Sequence, residues 1–180
     1  LGGSLGARVF SDVVPPALAL LPEALRARLA VTQQCRAEDL DRVRNAYAQA
    51  GIAADLAPFF PEIATLLRDA HLVIARAGAS TVAELATIGR PAILVPLPGA
   101  IDDHQSANAA SLAATGGAWA MPQPGFTPEA LAARLAALLD DPAALEAAAA
   151  AVATAGRAQA AAELADLVQS TIAITQESRA

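Results

Sequence analysis

Short β-branched runs alternate with longer Ala- and Leu-rich stretches along the whole chain. Residues 29–34 predict a strand and residues 36–50 a helix that Gly51 ends. A second strand at 52–57 precedes a helix at 61–69 that opens on proline. The unbroken apolar run 71–75 predicts a buried strand, which makes His71 a structural residue. A helix at 80–88 stops at Gly89, and 91–95 is the clearest strand. Next come a helix at 103–114 closed by Gly116-Gly117, a short strand at 118–121, and a helix at 127–139. Thr127 is the expected cap of that helix, with Pro128 in its first turn. Helices at 142–153 and 158–174 complete the pattern. Strands alternating with helices imply right-handed βαβ units and one doubly wound parallel sheet, an α/β fold forming a single domain over 1–180. Ligands of such sheets bind beyond the carboxyl ends of the strands. Leu1-Gly2-Gly3-Ser4 stands where a first strand would already have ended, so the first strand is expected to be truncated.

Composition narrows the chemistry. Alanine fills 50 of the 180 positions and aromatics only 3%, so the core must rest on Leu, Val, Ile and close helix packing. All 12 basic residues are Arg. Without lysine there is no P-loop lysine and no Schiff-base chemistry. A net charge of −6 argues against a broad nucleic-acid footprint. The single Cys35 allows no internal disulfide and no Cys-rich zinc site. Its thiol pKa is open to lowering by Arg36, but no base lies nearby in sequence. No apolar run reaches the ~18 residues of a membrane span, and no basic-then-apolar leader opens the chain. A reducing cytoplasm is the expected setting.

Four segments carry candidate chemistry. Gly2-Gly3-Ser4-Leu5-Gly6-Ala7-Arg8 exposes backbone N–H groups to a phosphate, with Ser4 as a hydroxyl donor. An ordinary glycine turn explains the same residues. Arg76-Ala77-Gly78-Ala79-Ser80-Thr81-Val82-Ala83-Glu84 follows the strand 71–75. Glu84 can accept two hydrogen bonds from a ribose diol, or it can close a capping box with Thr81. After the strand 91–95 comes Asp102-Asp103-His104-Gln105, with Asn108 one helical turn beyond His104. These groups suit a hydroxyl-rich ligand such as a sugar. A metal site and a plain helix start favoured by the dipole are the alternatives. Phe59-Phe60-Pro61-Glu62-Ile63 offers aromatic and backbone groups to a planar base, or a hydrophobic staple. No Ser/His/Asp triad and no general base is identifiable.

The order of these segments resembles the C-terminal half of the MurG family, glycosyltransferases of bacterial peptidoglycan synthesis with the GT-B fold. The specific part of the likeness is Gly-Ala-Ser-Thr-Val-x-Glu followed by Asp-Asp-His-Gln-x-x-Asn-Ala. The resemblance covers essentially all of this chain and about half of the family's length. It implies a Rossmann-like donor-binding domain whose partner molecules are UDP-GlcNAc and, through an absent N-terminal domain, lipid I. The transfer of N-acetylglucosamine would invert the anomeric carbon and need no obligatory metal or other cofactor. By similarity Ser4, with Gly3 and Gly6, would face the diphosphate, and the Phe60 backbone would read the uracil beside Ile63. Gly78, Ala79, Ser80 and Thr81 would serve phosphates and sugar, with Val82 and Ala83 completing the segment. Glu84 would hold the ribose, and Gln105, His104 and Asn108 would lie at the GlcNAc hydroxyls. The resemblance further implies a peripheral enzyme on the cytoplasmic face of the bacterial inner membrane, with the helix 158–174 crossing to the absent domain. This half alone should bind donor without catalysing transfer.

Two positions depart from the family. Leu5 stands where many relatives have Gln, and His104 where some have Gln. The rivals are the UDP-sugar half of another GT-B enzyme such as a diacylglycerol glycosyltransferase, a stand-alone donor-binding subunit with a membrane partner, and a nucleotide-binding regulatory domain.

Overall fold

The computed structural model describes residues 1–3, 7–99 and 101–177. In chain order the elements are α1 (Arg8–Ala19), α2 (Glu23–Arg26), β1 (Ala30–Gln34), α3 (Leu40–Gln49), β2 (Ala53–Ala57), α4 (Ile63–Asp69), β3 (Val73–Ala75) and α5 (Ala79–Ile88). They continue with β4 (Ala92–Leu94), α6 (His104–Ala113), β5 (Ala118–Ala120), α7 (Pro128–Leu139), α8 (Pro142–Ala153) and α9 (Ala160–Glu177). Every strand pair is parallel, but the strands form two sheets rather than the one expected: β1 with β2, and β3 with β4 with β5. Leu1 lies against the second group, where its amino group donates to the Ile74 carbonyl (2.7 Å) and its own carbonyl accepts from Arg76 N–H (3.2 Å).

The expected two-faced burial is visible in β4. Ile93 and Val95 join a core with Phe10, Val14 and Leu18 of α1, Val43 and Tyr47 of α3, and Leu131 and Leu135 of α7. Ala92 and Leu94 point the other way, into a core with Leu85 and Ala86 of α5, Leu112 of α6 and Val152 of α8. Alternate residues of one strand thus serve helices on both faces, the arrangement of a doubly wound sheet. Few aromatics suffice because the backbones approach closely. A Cβ on Gly117 would lie 2.1 Å from a Val152 methyl, so glycine lets α8 close onto the start of β5. The Phe10 and Phe126 rings meet edge to face at 5.7 Å and join α1 to the segment before α7.

Several expected boundaries move. The strand expected at 71–75 begins at Val73, where its N–H reaches the Pro91 carbonyl, and His71 is exposed before it rather than buried in the core. The helix expected from 61 starts at Ile63, after a turn through Pro61 and Glu62. The helix expected at 36–50 opens with a 3-10 turn at Ala37–Asp39. The helix expected from 103 starts at His104, because Asp102 and Asp103 both take left-handed backbone (φ 54° and 48°). The short α2 was not expected. Thr127 caps α7 as expected, its hydroxyl accepting from Ala130 N–H (3.2 Å).

Candidate functional site

The parallel strands place their following segments at one edge of the fold: Cys35–Arg36 after β1, Pro58–Phe60 after β2, Arg76–Gly78 after β3, 95–99 after β4 and 121–125 after β5. Long-range hydrogen bonds from polar side chains join them. Gln34, the last residue of β1, accepts from Gly2 N–H (3.1 Å) and donates to the carbonyls of Gly3 (3.0 Å) and Pro58 (3.2 Å). Arg76 donates to the carbonyls of Val95 (3.1 Å) and Pro96 (3.0 Å) and to Gln123 Oε1 (2.7 Å), while its guanidinium lies 5.5 Å from the Phe10 ring. Burial lowers the pKa of Arg76 from its ordinary value, yet arginine stays charged at neutral pH. Asn108 donates to the Ala77 carbonyl (3.0 Å), and Gln105 Oε1 accepts from Leu97 N–H (3.0 Å).

The start of α5 is the strongest candidate for anion binding. Gly78 is its N-cap and offers no capping side chain, and Ala79 and Ser80 are exposed. The first N–H groups of a helix have no partner within it, and the dipole adds partial positive charge. The Arg76 clamp and the Asn108 bond fix this N-terminus from two sides. Thr81 is the third helical residue, so it does not cap the helix and the capping-box alternative for Glu84 fails. Glu84 is exposed and, among the described residues, makes no hydrogen bond or ion pair. It shares a helix face with Ser80, one turn away. Its Cα lies on the order of 9 Å along the axis from the cap, at 1.5 Å per residue. That separation suits a ligand with an anionic end on the helix start and a diol further along.

The other expected site residues divide into three groups. Ser4 and Gly6 lie outside the described residues, as does Leu5. Gly3 is exposed with φ 78°, a conformation open to glycine. Phe60 is half-buried in the turn before α4, next to the 73% exposed Phe59. Ile63 and Val82 are half-buried and pack against the second core, so each has a packing role in addition to any contact with a ligand. Ala83 is exposed. His104 is exposed at the first turn of α6, behind the two left-handed aspartates. Each such backbone costs roughly 1–2 kcal/mol, and Ser106 Oγ donating to Asp103 Oδ1 (2.7 Å) helps hold one of them. The metal alternative for Asp102, Asp103 and His104 finds no cluster of three or more metal-ligating side chains among the described residues.

Gln34, Arg76 and Gln123 were missed as organisers of the site. Their partners are 19 to 47 residues away in sequence, and no local spacing signals such bonds. Next to this edge, Asp39 is buried and paired with Arg42 (2.9 Å) and Arg8 (3.5 Å), which tie α1 to the start of α3.

Comparison with known proteins identifies the family. The model of the glycosyltransferase family 28 C-terminal domain matches residues 1–165. The UDP-N-acetylglucosamine–N-acetylmuramyl-(pentapeptide) pyrophosphoryl-undecaprenol N-acetylglucosamine transferase of Granulibacter bethesdensis is 68% identical over 96% of this chain and 45% of its own length. The protein of the same name from Rhodospirillum rubrum is 61% identical over 94% of this chain and 44% of its own. The crystal structure of Acinetobacter baumannii MurG superposes with a TM-score of 0.86 at 36% identity, covering 94% of this chain and 50% of that one. The chain therefore spans about half the length of the relatives it matches. On these matches, the chain belongs to the glycosyltransferase family 28 C-terminal domain family.

Proposed function

We propose that this chain is the donor-binding half of an inverting glycosyltransferase that moves N-acetylglucosamine from UDP-GlcNAc to undecaprenyl-diphosphate-muramoyl-pentapeptide, converting lipid I to lipid II in peptidoglycan synthesis. The observation that carries the reading is the uncapped start of α5 with exposed Glu84 one and a half turns along the same helix. The names of the relatives supply the sugar and the acceptor. In this reading the uracil meets the Phe60 backbone, the ribose hydroxyls donate to Glu84, and the diphosphate rests on the N–H groups of 79–81 and the turn of Gly3, Ser4 and Gly6. The N-acetylglucosamine then faces Gln105, whose Oε1 accepts from Leu97 N–H, with His104 beside it. Asn108 serves the site by holding Ala77 rather than by touching sugar.

The chemistry follows from that placement. The acceptor hydroxyl oxygen attacks the anomeric carbon from the face opposite the diphosphate, a new C–O bond forms, and the bond to UDP breaks with inversion. Charge develops on the departing diphosphate, where preorganised helix N–H donors contribute about 3 kcal/mol each to the transition state. We assign this charge stabilisation to the protein, without an obligatory metal or other cofactor. The proton of the acceptor passes to a base outside this chain, in the half of the relatives that it does not match. We assign the acceptor site and a peripheral membrane contact on the cytoplasmic face of the bacterial inner membrane to that same half. No helix among the described residues is long and apolar enough to cross a membrane. We also assign α9 to a crossing onto that half, since Leu164, Leu167 and Val168 are 50–63% exposed along it.

Calorimetric titration tests the reading. This chain should bind UDP-GlcNAc more tightly than UDP-glucose and UDP, and Glu84→Ala should weaken binding at least about tenfold, the loss of roughly one charge-assisted hydrogen bond. A folded chain that binds none of the three refutes it. Equal affinity for all three would instead favour a nucleotide-binding domain indifferent to the sugar.

A further inference from the structure

Both ends of the Gln34 amide meet backbone of other segments. Oε1 accepts from Gly2 N–H, and the two Nε2 hydrogens go to the carbonyls of Gly3 and Pro58. Gly2 and Gly3 begin the turn assigned to the diphosphate, while Pro58 leads directly into Phe59 and Phe60, the segment assigned to the base. Below this point the backbones are already fixed by other bonds: Leu1 by Ile74 and Arg76, and β2 by its ladder to β1 through Ala57. Beyond it, the segment from Pro58 leaves the ladder of β1 and β2. Gln34 therefore joins them where regular pairing ends.

We propose that Gln34 is a positioning residue that locks Gly2 and Gly3 to the base-binding loop, so that a nucleoside diphosphate meets the two segments in fixed register. This rests on the proposed function for the identity of the ligand. The geometry demands a side chain of glutamine's length carrying one acceptor and two donors in a plane. Methionine keeps the length and loses all three bonds. Asparagine keeps the amide and falls one methylene short of spanning two segments. The gain comes from preorganisation: a ligand touching both loops binds to segments already in register, whereas a ligand touching one loop does not benefit.

The test is titration of wild-type chain, Gln34→Met and Gln34→Asn with uridine, UMP and UDP, alongside thermal unfolding. Wild type should gain affinity strongly from uridine to UDP. Both variants should lose about tenfold for UDP while changing by less than about twofold for uridine. A purely structural role would lower the thermal midpoint and weaken all three ligands by the same factor, and that result overturns the proposal. So does UDP affinity equal to wild type in both variants. Should wild type itself fail to bind UDP, the proposed function falls and the inference with it. Binding by wild type with unaltered variants removes the inference alone.

Discussion

At the scale of single residues, the site depends on side chains that never need to touch the ligand. Arg76 joins the segments after β3, β4 and β5 and sits against Phe10. Hydrogen bonds to a charged group contribute about 1.5–3 kcal/mol each. Arg76→Met leaves two carbonyls and Gln123 without their donor, so a loss of roughly 2–4 kcal/mol in denaturant unfolding is expected, together with weaker UDP binding. Arg76→Lys should recover only part, because an ammonium lacks the planar fork. Tyr47 gives a pH test. Its hydroxyl donates to Gln33 (2.5 Å) inside the core, and burial, with Cys35 nearby, raises its pKa. The folded state keeps the phenol neutral while the unfolded chain ionises near the ordinary value. Stability is therefore fully present below pH about 10 and falls as pH rises above it. Tyr47 is the single tyrosine, so phenolate absorbance should appear together with unfolding. Ionisation well before unfolding would contradict this burial. Asp39 has the opposite sign. Its hydrogen bond from Arg42 holds its carboxyl below the ordinary range, so its contribution persists at neutral pH and is lost as pH falls below about 4.

At the scale of elements, legibility in the sequence depended on whether the signal was local. The cap of α7 was readable because Thr127, Pro128 and the apolar period sit together, and Thr127→Ala should cost about 1 kcal/mol of unfolding free energy. The strands β1, β2, β4 and β5 were found within two residues of their ends, since β-branched and apolar runs bounded by glycine or proline are local too. The start of α6 was misplaced by one residue because nothing in Asp102-Asp103 announces two successive left-handed backbones. The burial of His71 was misjudged because an apolar run does not show where a ladder begins. Glu84 and Gln105 were proposed for the site from the order of local segments, whereas Gln34 and Arg76 act through pairings that exist only once the strands are assembled. Packing between elements was equally hidden. Gly117 reads as the second half of a helix stop, yet it is the point where α8 meets β5. Gly117→Ala drives a methyl into Val152 and backbone of α8, and a cost of about 1–3 kcal/mol is expected from overpacking. Unchanged stability would mean that α8 sits further away.

At the scale of the molecule, the carboxyl edge of the two parallel sheets gathers the candidate site residues, with two cores behind it. The body is complete without α9, whose residues 160–171 are exposed throughout. Deleting 160–180 from this chain should leave its thermal midpoint within about 2 °C, since surface changes away from packed contacts fall within about 0.5 kcal/mol. In an enzyme of the relatives' full length the same deletion should lower the midpoint, because the proposed crossing would give α9 a surface to cover. An unchanged midpoint in that longer protein would contradict the crossing. A crystal structure of this chain with UDP-GlcNAc measures most directly where a nucleotide sugar lies on the edge. The proposed function predicts the diphosphate on the N–H groups of 79–81, both ribose hydroxyls on Glu84 and the sugar beside Gln105. A ligand bound elsewhere, or bound at this edge with Glu84 turned away from the ribose, would contradict it.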